Sequence, residues 1–164
     1  MSGAYRSIGI NRNDFMSLIQ MRPEGGTAYG TLEWVAYASN AFNTMVPFYA
    51  DVDETPEYLA NTTGEVSTEN FYWTSRMIAA MADASYGKSL FHVEHYQENV
   101  LAKSHALINQ YDALLADEKD PEKQMELKRK ANRKVAEMVQ KEASATLKKV
   151  LYELSNQMKN SYAR

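Results

Sequence analysis

Thr31–Tyr49, TLEWVAYASNAFNTMVPFY, decides the fold class. Thr31–Ala38 alternates and is rich in β-formers, Trp34 and Tyr37 among them, which predicts a strand. Thr44–Tyr49 is a second apolar run, interrupted by Pro47. Proline donates no ladder hydrogen bond, so this segment is expected at a sheet edge or leaving the sheet at that point. Upstream, Phe15–Met21 (FMSLIQM) is a mostly apolar run ended by Arg22-Pro23 and then Gly25-Gly26, a strand followed by a turn. Gly25-Gly26 with Gly30 reads as a hairpin connection, since no lysine follows and the G-x-G-x-x-G spacing of a phosphate loop is absent. Ser7–Ile10 is short and β-prone. Strands are therefore expected over about residues 6–50.

Downstream the period changes. The polar stretch Asp51–Glu69 reads as a long loop over about residues 51–66, with one helical turn at Glu57–Ala60. A helix follows, capped by Ser67, Thr68 or Asn70, with Phe71, Trp73, Ile78 and Met81 as apolar positions and Gly87 as its terminator. A second helix is predicted from about Ser89 to Leu115. Asp120-Pro121 breaks it, and proline suits the first position of a third helix running from about Glu122 to Met158. The basic cluster Lys128, Arg129, Lys130, Arg133 and Lys134 reads as a solvated face of that helix. Strands first and helices after, over about residues 67–160, make a single α+β domain: an antiparallel sheet segment followed by long amphipathic helices. A sheet this small, with one face covered, keeps an exposed edge and an uncovered face that something should occupy.

Composition narrows the function classes. The 164 residues, 45% apolar and 24% charged, are enough for a domain with a real core. A net charge of −3 argues against a nucleic-acid partner held through phosphates. No run reaches the ~18 apolar residues that a membrane helix needs. MSGAYRSIG lacks the apolar core of a signal peptide, so the expected location is cytoplasmic. The chain has no cysteine, which removes disulfides, zinc-thiolate sites and a cysteine nucleophile from within it.

Chemistry-bearing constellations are sparse. His92 and His95, near Glu94 and Glu98, have a spacing metal ligands use, but not the H-E-x-x-H order that places a glutamate beside a bound water. They read as partly exposed helix histidines. Ser2, exposed if Met1 is removed, could act as an N-terminal nucleophile with its own amine as base, although nothing around it predicts a rigid strand. The eleven tyrosines and nine methionines read mostly as core. Arg12 and Arg6, ahead of the first strand, are the candidate substrate-binding residues, because an arginine at a strand entrance can grip a carboxylate with two parallel hydrogen bonds. Asn40 and Asn43 lie where they could line the same pocket. From these residues alone the chain is an α+β domain of open role.

Five pieces, in order, add a resemblance: Arg6–Ile8; Arg12 with FMSLIQMRP (15–23); GTAYGTLEWVAYASNAFNTMVPFY (26–49); EVSTENFY (65–72); and LYELSNQMKNSY (151–162). Together they resemble the bacterial cysteine dipeptidases of the N-terminal-nucleophile hydrolase superfamily, relatives of the secernins. The resemblance implies a four-layer αββα hydrolase that cleaves dipeptides with an N-terminal cysteine, needing no metal or other cofactor. It also implies that this chain is the C-terminal portion of such an enzyme, with the nucleophile on a missing N-terminal half, and that the chain alone is inactive. No catalytic residue is then expected here. In the related bile-salt and penicillin-V hydrolases an arginine before the corresponding strand helps form the substrate environment, a role the resemblance carries to Arg12 first and Arg6 second. The expected partners are a dipeptide and the missing half; homo-oligomerisation stays open. The competing expectation is a non-catalytic binding or structural module derived from such a hydrolase.

Overall fold

A computed structural model describes residues 13–159. Three strands form one antiparallel sheet in the order β1 (Phe15–Met21), β2 (Thr31–Tyr37), β3 (Val46–Tyr49). Phe15 pairs with Tyr37, Met21 with Thr31, Leu32 with Tyr49 and Val35 with Val46. The β1–β2 connection is a 3₁₀ turn (Pro23–Gly25) and a single helical turn, α1 (Gly26–Tyr29). Gly30 closes it where the backbone doubles back so tightly that a Cβ would lie 2.2 Å from the Gly26 carbonyl oxygen. Pro47 sits on β3, an edge strand, as its missing N–H requires.

The helical half comprises α2 (Glu57–Ala60), α3 (Phe71–Ala84), α4 (Tyr86–Asp117) and α5 (Pro121–Ser155). Asn70 is the cap that starts α3, its side chain accepting the Trp73 N–H at 2.9 Å. Gly87 does not end that helix. The break falls at Ser85, and Gly87 lies inside the first turn of α4. Ser85 does the work because its hydroxyl donates back to the Met81 carbonyl and meets Ser89 Oγ at 2.5 Å, tying the two helices across the break. α5 starts at Pro121 with Asp120 as cap, accepting the Glu122 N–H at 3.0 Å. α4 and α5 run antiparallel, bridged by Lys103–Glu142 at one level and His92–Glu153 at another. Among the described residues no helix is long and apolar enough to cross a membrane.

Sheet and helices are interleaved more deeply than a one-sided layer. Leu32, Trp34, Ala36 and Tyr49 share one face of the sheet, and Trp34 packs on His105 of α4 with ring centroids 5.5 Å apart. Val35, Tyr37, Val46 and Phe48 share the other, where Tyr37 meets Phe71 and Tyr72 of α3 edge-on. The expectation of one covered face is corrected accordingly: β2 and β3 are covered on both faces. β1 is the exception. Phe15, Leu18 and Ile19 are each about half exposed and Met21 is 79% exposed, so apolar side chains stand in water on both faces of that strand. The methionines also depart from expectation. None of those described belongs to the fully buried core, which is built from Leu32, Val46, Tyr49, Phe71, Ile78 and the valines of α4 and α5.

The outer edge of β3 is closed by a side chain. Asn132 of α5 accepts the Tyr49 N–H at 2.8 Å and donates its amide to the Tyr49 carbonyl at 3.0 Å, copying the hydrogen-bond pair of a neighbouring strand. Asn132 is buried, so these groups have no water to fall back on.

The basic stripe of α5 is likewise not simply solvated. Lys128 is buried and its ammonium reaches Asp51 at 2.5 Å and the Thr27 carbonyl at 3.0 Å. Arg129 forks onto Asp53 (2.8 and 2.7 Å), and Arg133 pairs with Glu54 and Glu126. The acidic segment 51–54 that leaves β3 is thereby clasped onto the helix that seals β3.

Two expected outcomes follow from this packing. Asn132→Leu strands two buried backbone groups and is expected to cost about 2–4 kcal/mol in a urea titration. In the clasp, hydrogen bonds from Arg129 hold the Asp53 carboxyl below its ordinary value, and those from Arg133 and then Arg129 do the same for Glu126. A carboxylate depressed in the native state stabilises it above the ordinary carboxylate range, and that contribution fades as pH falls through the folded value. Stability measured by thermal melts below about pH 5 is expected to fall less steeply in an Arg129→Met, Arg133→Met double variant than in the parent.

Candidate functional site

A concavity with opposed charges lies where β2 ends. It is a groove of about 480 Å³ whose lining includes Asp14, Ala38, Arg76, Ala79, Ala80 and Asp83. The chain enters it through Ala38, which adopts φ 70°, in the left-handed region that a side chain other than glycine seldom occupies. That turn is held from two sides. The Ala38 N–H donates to the Asp14 carbonyl at 3.0 Å, and its own carbonyl accepts the Asn43 amide at 3.1 Å. Such a conformation stores about 1–3 kcal/mol, and residues held this way concentrate at ligand sites. An edge-on pair of Phe42 and Tyr86 rings adds an aromatic border.

Arg76 projects from α3 into this groove. Its guanidinium lies over the rings of Tyr72 and Trp73, 5.5 and 5.9 Å from their centroids, and Nη1 donates to the Tyr72 hydroxyl at 3.2 Å and to the Asp14 carboxylate. The arginine–Asp14 pair is solvent-exposed, with side-chain exposures of 40% and 61%. Asp83 follows Arg76 by two turns of the same helix and is exposed, with no ion-pair or hydrogen-bond partner among the described residues. Ala79 and Ala80, between them, keep the floor low.

A second charged centre is structural in character. Arg22, at the end of β1, grips Asp112 of α4 with Nη1 at 2.5 Å and Nη2 at 3.1 Å and also donates to the Tyr29 carbonyl. Asp112 in turn accepts the Tyr49 hydroxyl at 2.8 Å. Burial first, and this carboxylate second, push the Tyr49 phenol far above its ordinary value, so it stays neutral and donating. The network joins β1, β3 and α4, and both terminal nitrogens of its arginine are spent on holding them together.

The candidate residues read from sequence are distributed differently. Arg12, Arg6 and Ser2 lie outside the described residues; Asn13 and Asp14, which follow Arg12 directly, line the groove. Asn43 does not line it as a free amide. It is buried, bonded to the Ala38 carbonyl, and its own carbonyl accepts Gln97 Nε2 at 2.7 Å. Asn40 borders a separate concavity on the other side, beside Trp34 and Leu18. His92 lies 3.5 Å from Glu153, while His95 stacks on Phe91. No group of three or more potential metal ligands gathers among the described residues. Arg76 and Asp83 were not singled out by sequence reasoning. The signal available was two opposite charges seven apart on a predicted helix with an Ala-Ala step between them.

Comparison with known proteins gives this geometry a lineage. Residues 2–99, which include the sheet, the groove and all of α3, match the peptidase family C69. The chain belongs to that family. Among curated relatives of this C69 chain, a probable dipeptidase A of Streptococcus pyogenes serotype M18 is 40% identical over 161 residues, covering 97% of this chain and 33% of the relative. A dipeptidase of Bifidobacterium longum is 46% identical over 112 residues, covering 68% of this chain and 21% of the relative. Dipeptidase A of Lactobacillus helveticus is 30% identical over 108 residues, covering 66% and 23%. The C69 chain thus spans about a third of the length of the first of these relatives.

The strained corner at Ala38 makes a direct prediction. Ala38→Gly is expected to change stability by no more than about 1 kcal/mol, relief of the left-handed strain offsetting glycine's greater chain entropy. Ala38→Val, branched and buried, is expected to cost about 2 kcal/mol or more. Urea melts of the two variants beside the parent check both.

Proposed function

We propose that this chain is part of a dipeptidase and supplies a section of its substrate groove, while the attacking group comes from polypeptide outside these residues. The observation that carries the reading is the 40% identity with a probable dipeptidase A across 97% of a chain that contains no cysteine. In this reading the nucleophile is an N-terminal cysteine. Its thiolate attacks the dipeptide carbonyl, its α-amine takes and returns the proton, and the acyl-enzyme is released by water. Arg12, with Arg6 second, approaches the substrate from the segment leading into Asp14.

The architecture supports this. Among the described residues β1 presents an unpaired edge and apolar side chains on both faces, whereas the β3 edge is closed by Asn132. An edge of that kind is a template for further strands, and the four-layer αββα arrangement would continue the sheet from β1. The same open strand supports a second reading, a non-catalytic module that binds a partner by strand addition.

Hydrolysis separates the two. The purified chain is expected to release no amino acids from dipeptides, and mixing it with the region its relatives carry outside the matched third is expected to restore turnover. Turnover by the chain alone that survives repurification would refute the assignment of the nucleophile elsewhere. A stable complex without turnover would favour the binding module.

A further inference from the structure

We propose that the groove at the end of β2 measures its ligand by charge at both ends: Arg76 takes the free carboxylate of a dipeptide and Asp83 its free ammonium. This rests on the dipeptidase reading and adds the two residues that would restrict it to short peptides with both termini free.

Arg76 is prepared for this work. Two aromatic faces and the Tyr72 hydroxyl orient its guanidinium, so little rotamer freedom is left to lose on binding. Its present partner is exchangeable. Ion pairs between groups as exposed as Arg76 and Asp14 contribute about 0–1 kcal/mol, so an incoming carboxylate can replace Asp14 at small cost. Only Nη1 is engaged among the described residues, which leaves the rest of the fork for a second, parallel hydrogen bond.

Asp83 supplies the other pole. It faces the same groove and carries no counter-ion among the described residues. Two helical turns separate the two residues by about 10.5 Å along the axis. The Arg76 guanidinium lies back over Tyr72 and Trp73, away from Asp83, which widens the gap, and an extended dipeptide of roughly 7 Å fills it together with an ion-pair contact of about 3–4 Å at each end. The alanine floor leaves the space between them open to main chain and small side chains. A tripeptide, longer by about 3.5 Å, would have to lift one end off its partner.

Calorimetry on the 164-residue chain, shown folded by its helical circular dichroism, tests this with alanyl-alanine, its C-terminal amide and its N-acetyl form. Each blocked form is expected to bind about tenfold or more weakly than the free dipeptide. Arg76→Met should erase the penalty for amidation and keep that for acetylation; Asp83→Asn should do the reverse. Should Arg76→Met fail to fold, Asp83→Asn decides alone, because the acetylation penalty is read independently. Variants that weaken all three ligands by one factor, or change none, overturn the proposal. So does a folded chain that binds none of them. In that event, turnover by the reconstituted peptidase would leave the dipeptidase reading standing, and absence of both would remove both.

Discussion

A buried amide on a strand edge sets the shape of this protein. Asn132 reaches from α5 to the Tyr49 backbone and satisfies both of its hydrogen-bonding groups, as a fourth strand would. A short strand containing proline is a poor template for another strand, and a helix laid along it excludes one altogether. Among the described strands, β1 is then the side from which the sheet can grow. Everything that anchors β3 reinforces that polarity: Tyr49 donates to Asp112, Asp112 is held by Arg22, and the acidic segment after β3 is clasped by Lys128, Arg129 and Arg133. One end of the sheet is sealed by helix and charge, and the other is bare among the described residues.

How much of this was legible depends on the range over which each signal acts. Strand alternation and helix periodicity are local, so Phe15–Met21, Thr31–Tyr37 and the long helices could be read from the residues themselves. Caps are local too, but several residues compete for them. Asn70 won over Ser67 and Thr68, and Ser85 displaced Gly87 because a hydroxyl returning to the preceding turn ends a helix without any need for left-handed backbone. The basic stripe of α5 was misread for the opposite reason. Its partners, Asp51, Asp53 and Glu54, lie more than seventy residues away in sequence, and no periodicity announces a contact of that range. The same holds for Asn132, an ordinary polar residue in a helix until the strand it completes is placed beside it.

The groove shows the same limit. Arg12 and Arg6 were attractive because an arginine ahead of a strand is visible in sequence. Arg76 gains its meaning only from Tyr72 and Trp73 beneath it and from Asp14 across the groove, and Asp14 is sixty-two residues distant. Arg22 is the instructive contrast. It too is an arginine at a strand end, yet it is bound bidentately to Asp112 and is only 12% exposed, and the one donor it leaves unpaired, Nε, is buried out of a ligand's reach. Residue type and position cannot separate these arginines; exposure and the exchangeability of the partner can.

Placement then connects the groove to the open strand. Ala38 ends β2 beside Asp14, and Asp14 leads directly into β1, so the strained turn and the bare edge share one short stretch of chain. Polypeptide added along β1 would therefore arrive next to the groove. The proposed N-terminal nucleophile suits that position, because a chain terminus can be delivered at the end of a strand without a loop to carry it onward. In the proposed dipeptidase the division of labour is physical: the helical part holds the charges that orient a substrate, and the uncovered strand supplies the seam along which the reacting group is brought to it.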